Sequence, residues 1–403
     1  MNQPTYSANV PRFLVYRGGI SIGFWLPIWV IYYQQRGLNL VEIGLLESAT
    51  WVFSALVEIP TGALADRFGR RLCLVVGALL MGLSVLAITV PGPALSPWFV
   101  TAAILWPASF TLINGADTAL LYDSLVAAGR EPDYRRVLGW ATAVQQATQG
   151  LTSLVGAWFA TFDITLCFTL TGISGVLAAG LAMALREPPR ETSDAPRAGY
   201  WTTLKGGLGI AVERPAVRYQ VLFGAVTQLY PFMITFAFFQ PYATEVGLPI
   251  WALGPLALVM RGGAMVGSML AHRVSTLVGA PVVIVVAPVA IVLSLALLGL
   301  APSQYAVLLF VVIALANALL RPPLSELLNR SIPAAERATV LSLENVVLTG
   351  LLAIVEPIVF AVATATTLAL ALGLSSVLVL GVAAVLLGLW WSVQPEVALA
   401  SPR

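Results

Sequence analysis

Gly62-Ala-Leu-Ala-Asp66-Arg67-Phe-Gly69-Arg70-Arg71 is the stretch whose reading decides the fold. It sets one acid, three arginines and two glycines within ten residues, between long apolar runs almost free of charge. Glycine favours turns over helix interiors, so one helix is expected to break at the glycines and the next to begin just after the arginines. The stretch reads as a short charged turn between two buried helices.

The flanks set the class. The chain has 403 residues, 59% hydrophobic and 10% charged, with a mean hydropathy of +0.89, which a polytopic membrane protein needs and a soluble one does not. A spanning helix takes about 20 apolar residues. Twelve such runs are predicted, at 12–35, 40–63, 72–90, 98–126, 137–161, 164–185, 217–242, 250–272, 278–300, 305–329, 338–361 and 365–391. They are too long for barrel strands and lack period-two alternation, so the fold class is all-α. Net charge is +2 with the basic residues scattered among loops, which gives no footprint for nucleic acid. Cys73 and Cys167 lie in or beside apolar runs, so no disulfide is expected. The first ten residues are polar and carry no signal-peptide pattern.

Arginine placement orients the chain. Arg67, Arg70, Arg71, Arg130, Arg135, Arg136, Arg273, Arg330 and Arg337 all fall in or beside loops that leave even-numbered spans. The segment 186–216 adds Arg186, Arg190, Arg197, Lys205 and Arg214, while the opposite loops carry almost nothing except Arg36. The positive-inside rule then puts both termini and this middle segment in the cytoplasm.

Glu58-Ile-Pro60-Thr-Gly62-Ala-Leu-Ala-Asp66-Arg67-Phe-Gly69-Arg70-Arg71 resembles the signature loop of the major facilitator superfamily of secondary transporters, between its second and third helices. The resemblance is to the drug:proton antiporter-like bacterial members. It implies two pseudo-symmetric six-helix halves, residues 1–186 and 217–403. Residues 187–216 would be a cytoplasmic linker, with an interfacial helix over Tyr200–Glu213. An echo lies 206 positions later at Met269-Leu-Ala-His272-Arg273, with His272 in place of the acid and Thr276 where Arg70 would recur. Asn114 and Asp123 recur with the same spacing as Asn317 and Glu326. The resemblance further implies that spans 1, 4, 7 and 10 line a cavity, spans 2, 5, 8 and 11 flank it, and spans 3, 6, 9 and 12 face lipid. The last set has no charged residue in its cores.

Charge inside a bilayer is costly, so its placement points to function. The expected substrate and proton pathway is Arg17, Glu47, Asn114, Asp117, Gln228, Tyr230, Arg261, Asn317, Arg321 and Glu356. The expected gating set is Gly62, Asp66, Arg67, Gly69, Arg70, Arg71, Asp123, Arg273 and Glu326. Asp123 is expected to meet Arg70, and Glu326 to meet Arg273 in the same way. Arg17, Glu58 and Glu344 lie near span ends, where the favoured reading is snorkelling to the interface. For Arg261 and Arg321 a structural ion pair and a substrate contact stand level. Asp117 has no basic neighbour on its own helix and is the favoured proton carrier, while Glu47 and Glu356 could share a proton. The first and seventh spans are rich in aromatics, including Phe24, Trp25, Trp29, Phe223, Tyr230, Phe232, Phe236, Phe238 and Phe239. If they line a cavity it suits an amphipathic molecule, whereas Tyr32, Tyr33 and Tyr242 read as an interfacial belt.

No phosphate-binding loop, His-Glu-x-x-His or cysteine cluster occurs, so neither cofactor nor metal is expected and the chain does not read as an enzyme. The expected partners are a small-molecule substrate, protons as coupling ion, and the lipid bilayer of a bacterial inner membrane. No nucleic acid is among them, and the expected state is a monomer. The favoured reading is proton-coupled efflux of a small amphipathic or aromatic compound. Gly150 to Gly156 lacks the proline of the antiporter motif of the fifth helix. Uptake or facilitated diffusion of an anionic metabolite by Arg17, Arg261 and Arg321 is the alternative, followed by a membrane sensor or lipid-handling protein. Substrate-dependent proton movement in proteoliposomes separates the three. On the signature loop, Asp66→Asn is expected to abolish or strongly reduce transport with expression and folding retained, and wild-type flux by that variant would refute the loop's role.

Overall fold

The structure, a computed structural model, describes residues 4–188, 200–333 and 336–393, without the side chains of residues 4–5, 58–67, 200–205 and 338. The expectations for Gly62, Asp66, Arg67 and the Glu58 side chain, and for linker residues 189–199, lie outside the described residues. All regular elements among the described residues are helical. After a turn at Pro4–Ser7, the first half contains α1 (Asn9–Ile20), α2 (Trp29–Gln35), α3 (Leu40–Phe68), α4 (Arg70–Ile88), α5 (Pro97–Ile113), α6 (Ala116–Ala127), α7 (Tyr134–Phe159) and α8 (Ile164–Met183). Helix α9 (Tyr200–Glu213) follows, then α10 (Pro215–Met233), a π-helical turn Ile234–Phe238, α11 (Phe239–Glu245), α12 (Leu253–Val278), α13 (Ala280–Leu300), α14 (Leu309–Ser331), α15 (Arg337–Ala365) and α16 (Leu368–Val393). Ten spans among the described residues are long and apolar enough to cross a membrane. The other two of the twelve are the interrupted α1–α2 pair and α7, whose Gln145, Gln146 and Gln149 lower its hydropathy. The protein is an all-α, multi-pass membrane protein.

The chain forms two compact units. One holds Met1–Leu38, Ala49–Arg197 and Ile250–Gly254; the other holds Asn39–Ser48, Ala198–Pro249 and Pro255–Arg403. Each therefore includes the first residues of one helix that continues in the other. In the second unit a Cβ on Gly44 of α3 would lie 2.8 Å from Pro357 Cα, and Ser48 Oγ donates to Ala353 O at 2.6 Å. In the first unit Gly254 of α12 sits as tightly on α7, 2.7 Å from Ser153 O by the same measure.

The deciding stretch differs from expectation. Helix α3 runs through Gly62 to Phe68, and the chain reverses at Gly69 alone, whose φ of +107° only glycine adopts readily. Arg70 and Arg71 open α4 instead of preceding it. Cations at a helix N-terminus oppose its dipole. Glu187 answers them, accepting from the Arg70 N–H at 2.8 Å and the Arg71 N–H at 2.7 Å.

Backbone geometry also resets the repeat. Gly37 and Gly247 share positive φ, as do Gly69 and Gly279, and both pairs are 210 positions apart. Tyr32 donates to Ile88 O and Tyr242 to Leu298 O, again at 210. The second loop is thus in register at 210, not 206. Thr276 stands in the place of Asp66, Ala280 and Pro281 in those of Arg70 and Arg71, and His272 opposite Gly62 within α12. The first and seventh spans are irregular at matching places, residues 21–28 and 231–238. Gly23 and Pro27 interrupt the first, and hydroxyls on neighbouring helices take up its backbone: Gly23 N–H donates to Thr152 Oγ1 and Phe24 N–H to Thr171 Oγ1, both at 3.1 Å. This is how a broken helix survives inside a bilayer. Tyr32, Tyr33 and Tyr242 are buried and do not form an interfacial belt, because their rings pack on Phe168, Phe99 and Phe310.

Small residues set the closest helix crossings. A Cβ on Gly82 of α4 would lie 2.5 Å from Val176 N of α8, and one on Gly299 of α13 would lie 2.5 Å from Gly373 Cα of α16. In α9, Gly207 lets that helix approach Thr339 O to 3.0 Å by the same measure, so this glycine serves packing. Gly82→Val and Gly299→Val are each expected to cost about 1–3 kcal/mol in detergent unfolding. Gly180→Ala, which meets nothing within 4 Å, should hold or gain stability.

Candidate functional site

In the first unit the buried polarity converges on α1, α6 and α7. Arg17 donates through Nη1 to Asp117 Oδ2 at 2.5 Å and through Nη2 to Gln145 Oε1 at 2.7 Å. Asp117 is 3% exposed. It also accepts the Thr118 N–H at 2.6 Å, so its charge sits in the first turn of α6, at the positive end of that helix. This corrects two expectations. Arg17 does not snorkel, and Asp117 does have a cation beside it, supplied by a different helix. Spacing along one helix could not show that.

The fourth span, expected to be continuous, breaks at Asn114-Gly115, where Asn114 turns to extended backbone and Gly115 takes φ +83°. The Asn-Gly dipeptide is a turn signal. Both residues are exposed. Towards the signature loop, Arg70 donates to Ala119 O at 2.6 Å and to the Asp123 carboxylate, and Arg71 to Met183 O at 2.6 Å.

In the second unit Arg321 of α14 donates to Glu344 Oε1 at 2.8 Å. Glu344 is buried in this pair, not extended to an interface, and a Cβ on Gly224 of α10 would lie 2.9 Å from its Oε1. Asn317 is half-buried one turn before Arg321, and Arg261 is half-buried on α12. Gln228 is half-buried on α10, and Tyr230 is buried against Ser375. Glu47 and Glu356 are 4% and 1% exposed and lie within electrostatic reach of each other. Glu326 does not meet Arg273 as expected but pairs with Arg330 at 2.5 Å, one turn along α14. The reset register explains this, because Ala280 and Pro281 offer no cation where Arg70 and Arg71 do. Arg273 is exposed.

Most of the aromatics expected to line a cavity are packing elements. Trp25 meets Trp106 edge-on at 4.7 Å, Phe238 meets Phe360 at 4.8 Å, and Phe223 and Phe239 are buried. Phe24, Phe232 and Phe236 stay half-buried.

An all-α bundle with polar residues gathered on matching spans of two repeats is the architecture of a membrane transporter. The Major Facilitator Superfamily profile matches residues 13–357, and the chain belongs to that superfamily of transporters. It is similar to the uncharacterized MFS-type transporter YxaM of Bacillus subtilis, 26% identical over 104 residues, which is 24% of each chain. It is also similar to the quinolone resistance protein NorA of Staphylococcus aureus, 23% identical over 195 residues, 48% of this chain and 47% of NorA. The chain thus spans about a quarter to a half of these curated relatives. Among solved structures, the nucleoside transporter NupG superposes with a TM-score of 0.73 at 15% identity, covering 97% of this chain and 100% of that one. A D-xylose–proton symporter gives 0.69 at 15%, covering 99% of each. At that identity the likeness shows the fold.

A double-mutant cycle tests the first-unit pair. Arg17→Gln and Asp117→Asn should each destabilise the protein, and the cycle should return a coupling of roughly 1–3 kcal/mol in equilibrium unfolding.

Proposed function

We propose that the protein is a proton-coupled exporter of a small amphipathic or aromatic compound, working by alternating access. The observation that carries this reading is the Glu47–Glu356 pair, two buried carboxyl groups within reach of each other on α3 and α15. When both are charged in a dry site they repel, so the site favours one shared proton. Contact with water on one side of the membrane and then the other would load and release it. Similarity to NorA supports export over uptake. Half-buried Phe24, Phe232 and Phe236 supply apolar contact for an amphipathic molecule. In this reading Asp117, held by Arg17 and by the start of its own helix, serves the substrate end, and the proton belongs to the acid pair. The signature-loop residues act as the inner gate through Arg70 and Asp123.

Two of the three arginines of the anionic-metabolite reading, Arg17 and Arg321, are committed to carboxylates, which weakens that alternative. The reading places the protein in a bacterial inner membrane, both termini cytoplasmic, as two six-span halves joined by residues 187–216. Flux against external pH in proteoliposomes tests it. Glu356→Gln should abolish uphill, proton-driven transport while retaining substrate exchange, and Glu47→Gln should behave alike. Uphill transport by Glu356→Gln equal to wild type would refute the proton role.

A further inference from the structure

The break between α5 and α6 leaves backbone groups unanswered in the middle of a spanning segment. Asn114 N–H reaches Phe110 O at 2.7 Å, and the next helix takes up its first bond at Gly115 O, from Ala119 N–H. Among the described residues no backbone N–H crosses the break to the carbonyls of Thr111, Leu112 or Ile113. Unanswered backbone at membrane depth is tolerated only where it is buried in protein or lines a cavity, and here Asn114 and Gly115 are exposed. A Cβ placed on Gly115 would meet nothing within 4 Å, so a ligand atom has room against the backbone.

The two ends of the break differ in sign. The positive start of α6 is already filled by the Asp117 carboxylate, which Arg17 neutralises in turn. The negative, carbonyl end of α5 has no such occupant and attracts hydrogen-bond donors. A second observation points to the same place. The Tyr16 hydroxyl is fully buried, has no hydrogen-bond partner among the described residues, and lies within electrostatic reach of Asp117 and Arg17. Buried hydroxyls without a partner are uncommon, and each calls for a cause.

We propose that the Asn114–Gly115 break is a substrate subsite that receives a nitrogen-borne hydrogen-bond donor, a protonated amine or amide N–H, on the carbonyl end of α5. The proposal rests on the transporter reading above and names the polar end of its substrate.

The test uses the full-length protein in detergent with three matched probes, benzylammonium, benzyl alcohol and benzoate, titrated calorimetrically at constant ionic strength. Benzylammonium is expected to bind at least tenfold more tightly than benzoate. Gly115→Asn places a side chain over the carbonyls, at a backbone conformation (φ +83°, ψ −42°) that lies outside the left-handed helical region and strains any side chain. It should weaken benzylammonium at least tenfold, with some loss of melting temperature from the strained backbone. Asn114→Leu, at an exposed position with extended backbone, should weaken it as much with the melting temperature unchanged, and serves if the first variant folds poorly. Equal or stronger benzoate binding, binding of none of the probes, an equal response to sodium chloride alone, or unchanged affinity in both variants would each overturn the subsite. Proteoliposome flux separates the two levels of inference. Intact substrate flux in both variants rejects the subsite and leaves the transport reading standing, whereas wild-type protein that binds benzylammonium yet moves no compound under any gradient rejects transport and leaves the subsite.

Discussion

Backbone hydrogen bonding without water is the constraint on which this structure depends. Within the bilayer every N–H and C=O must find a partner inside the protein, so each departure from regular helix has to be repaired locally. At residues 21–28 the repair is made by Thr152 and Thr171. At Ile234–Phe238, three residues after Pro231, it is a π-helical turn, which re-spaces the ladder without abandoning it. At Asn114–Gly115 the carbonyl side is left without a backbone answer. Two of the three irregularities follow the rule, and the third, which departs from it, lies beside the Arg17–Asp117–Gln145 cluster of the first unit.

The ion pairs follow from the same scarcity of solvent. Arg17–Asp117 and Arg321–Glu344 each join a residue to a neighbouring span, and each partner would be costly to bury alone. Gln145 completes the first pair, and in the second the missing side chain of Gly224 makes room for Glu344. Position 224 is small because a carboxylate needs the space, a constraint carried on a different helix from the acid.

Hydropathy, charge counts and turn residues made the helical class and nearly all the span boundaries legible, because a spanning helix must be both long and apolar. The candidate site was legible only as a set of residue types. Asp117, Asn114, Arg17 and Gln145 were each conspicuous as polarity in apolar runs, but their pairing depends on helix contacts that no spacing encodes. Arg17 and Glu344 looked like snorkelling residues for that reason. The Asn114-Gly115 break was written in the sequence and masked by the strong apolar run around it. The second-half loop was misregistered because the His272-Arg273 resemblance outweighed Gly279, the residue whose backbone conformation fixes the alignment.

The repeat spacing has a further consequence. It is 210 residues through Ile88 and Leu298, at the ends of the third and ninth spans, yet α7 and α15 begin only 203 apart, at Tyr134 and Arg337. Seven residues were therefore gained or lost between the third and fifth spans of one copy. The connections that carry Pro91-Gly-Pro93 and Ala301-Pro302-Ser303 are equal, eight residues each between the flanking helices, 89–96 and 301–308. Most of the extra length falls in the fourth span, which takes 31 residues from Pro97 to Ala127 where the tenth takes 26 from Ala306 to Ser331, so the Asn114-Gly115 break belongs to the copy with the longer span.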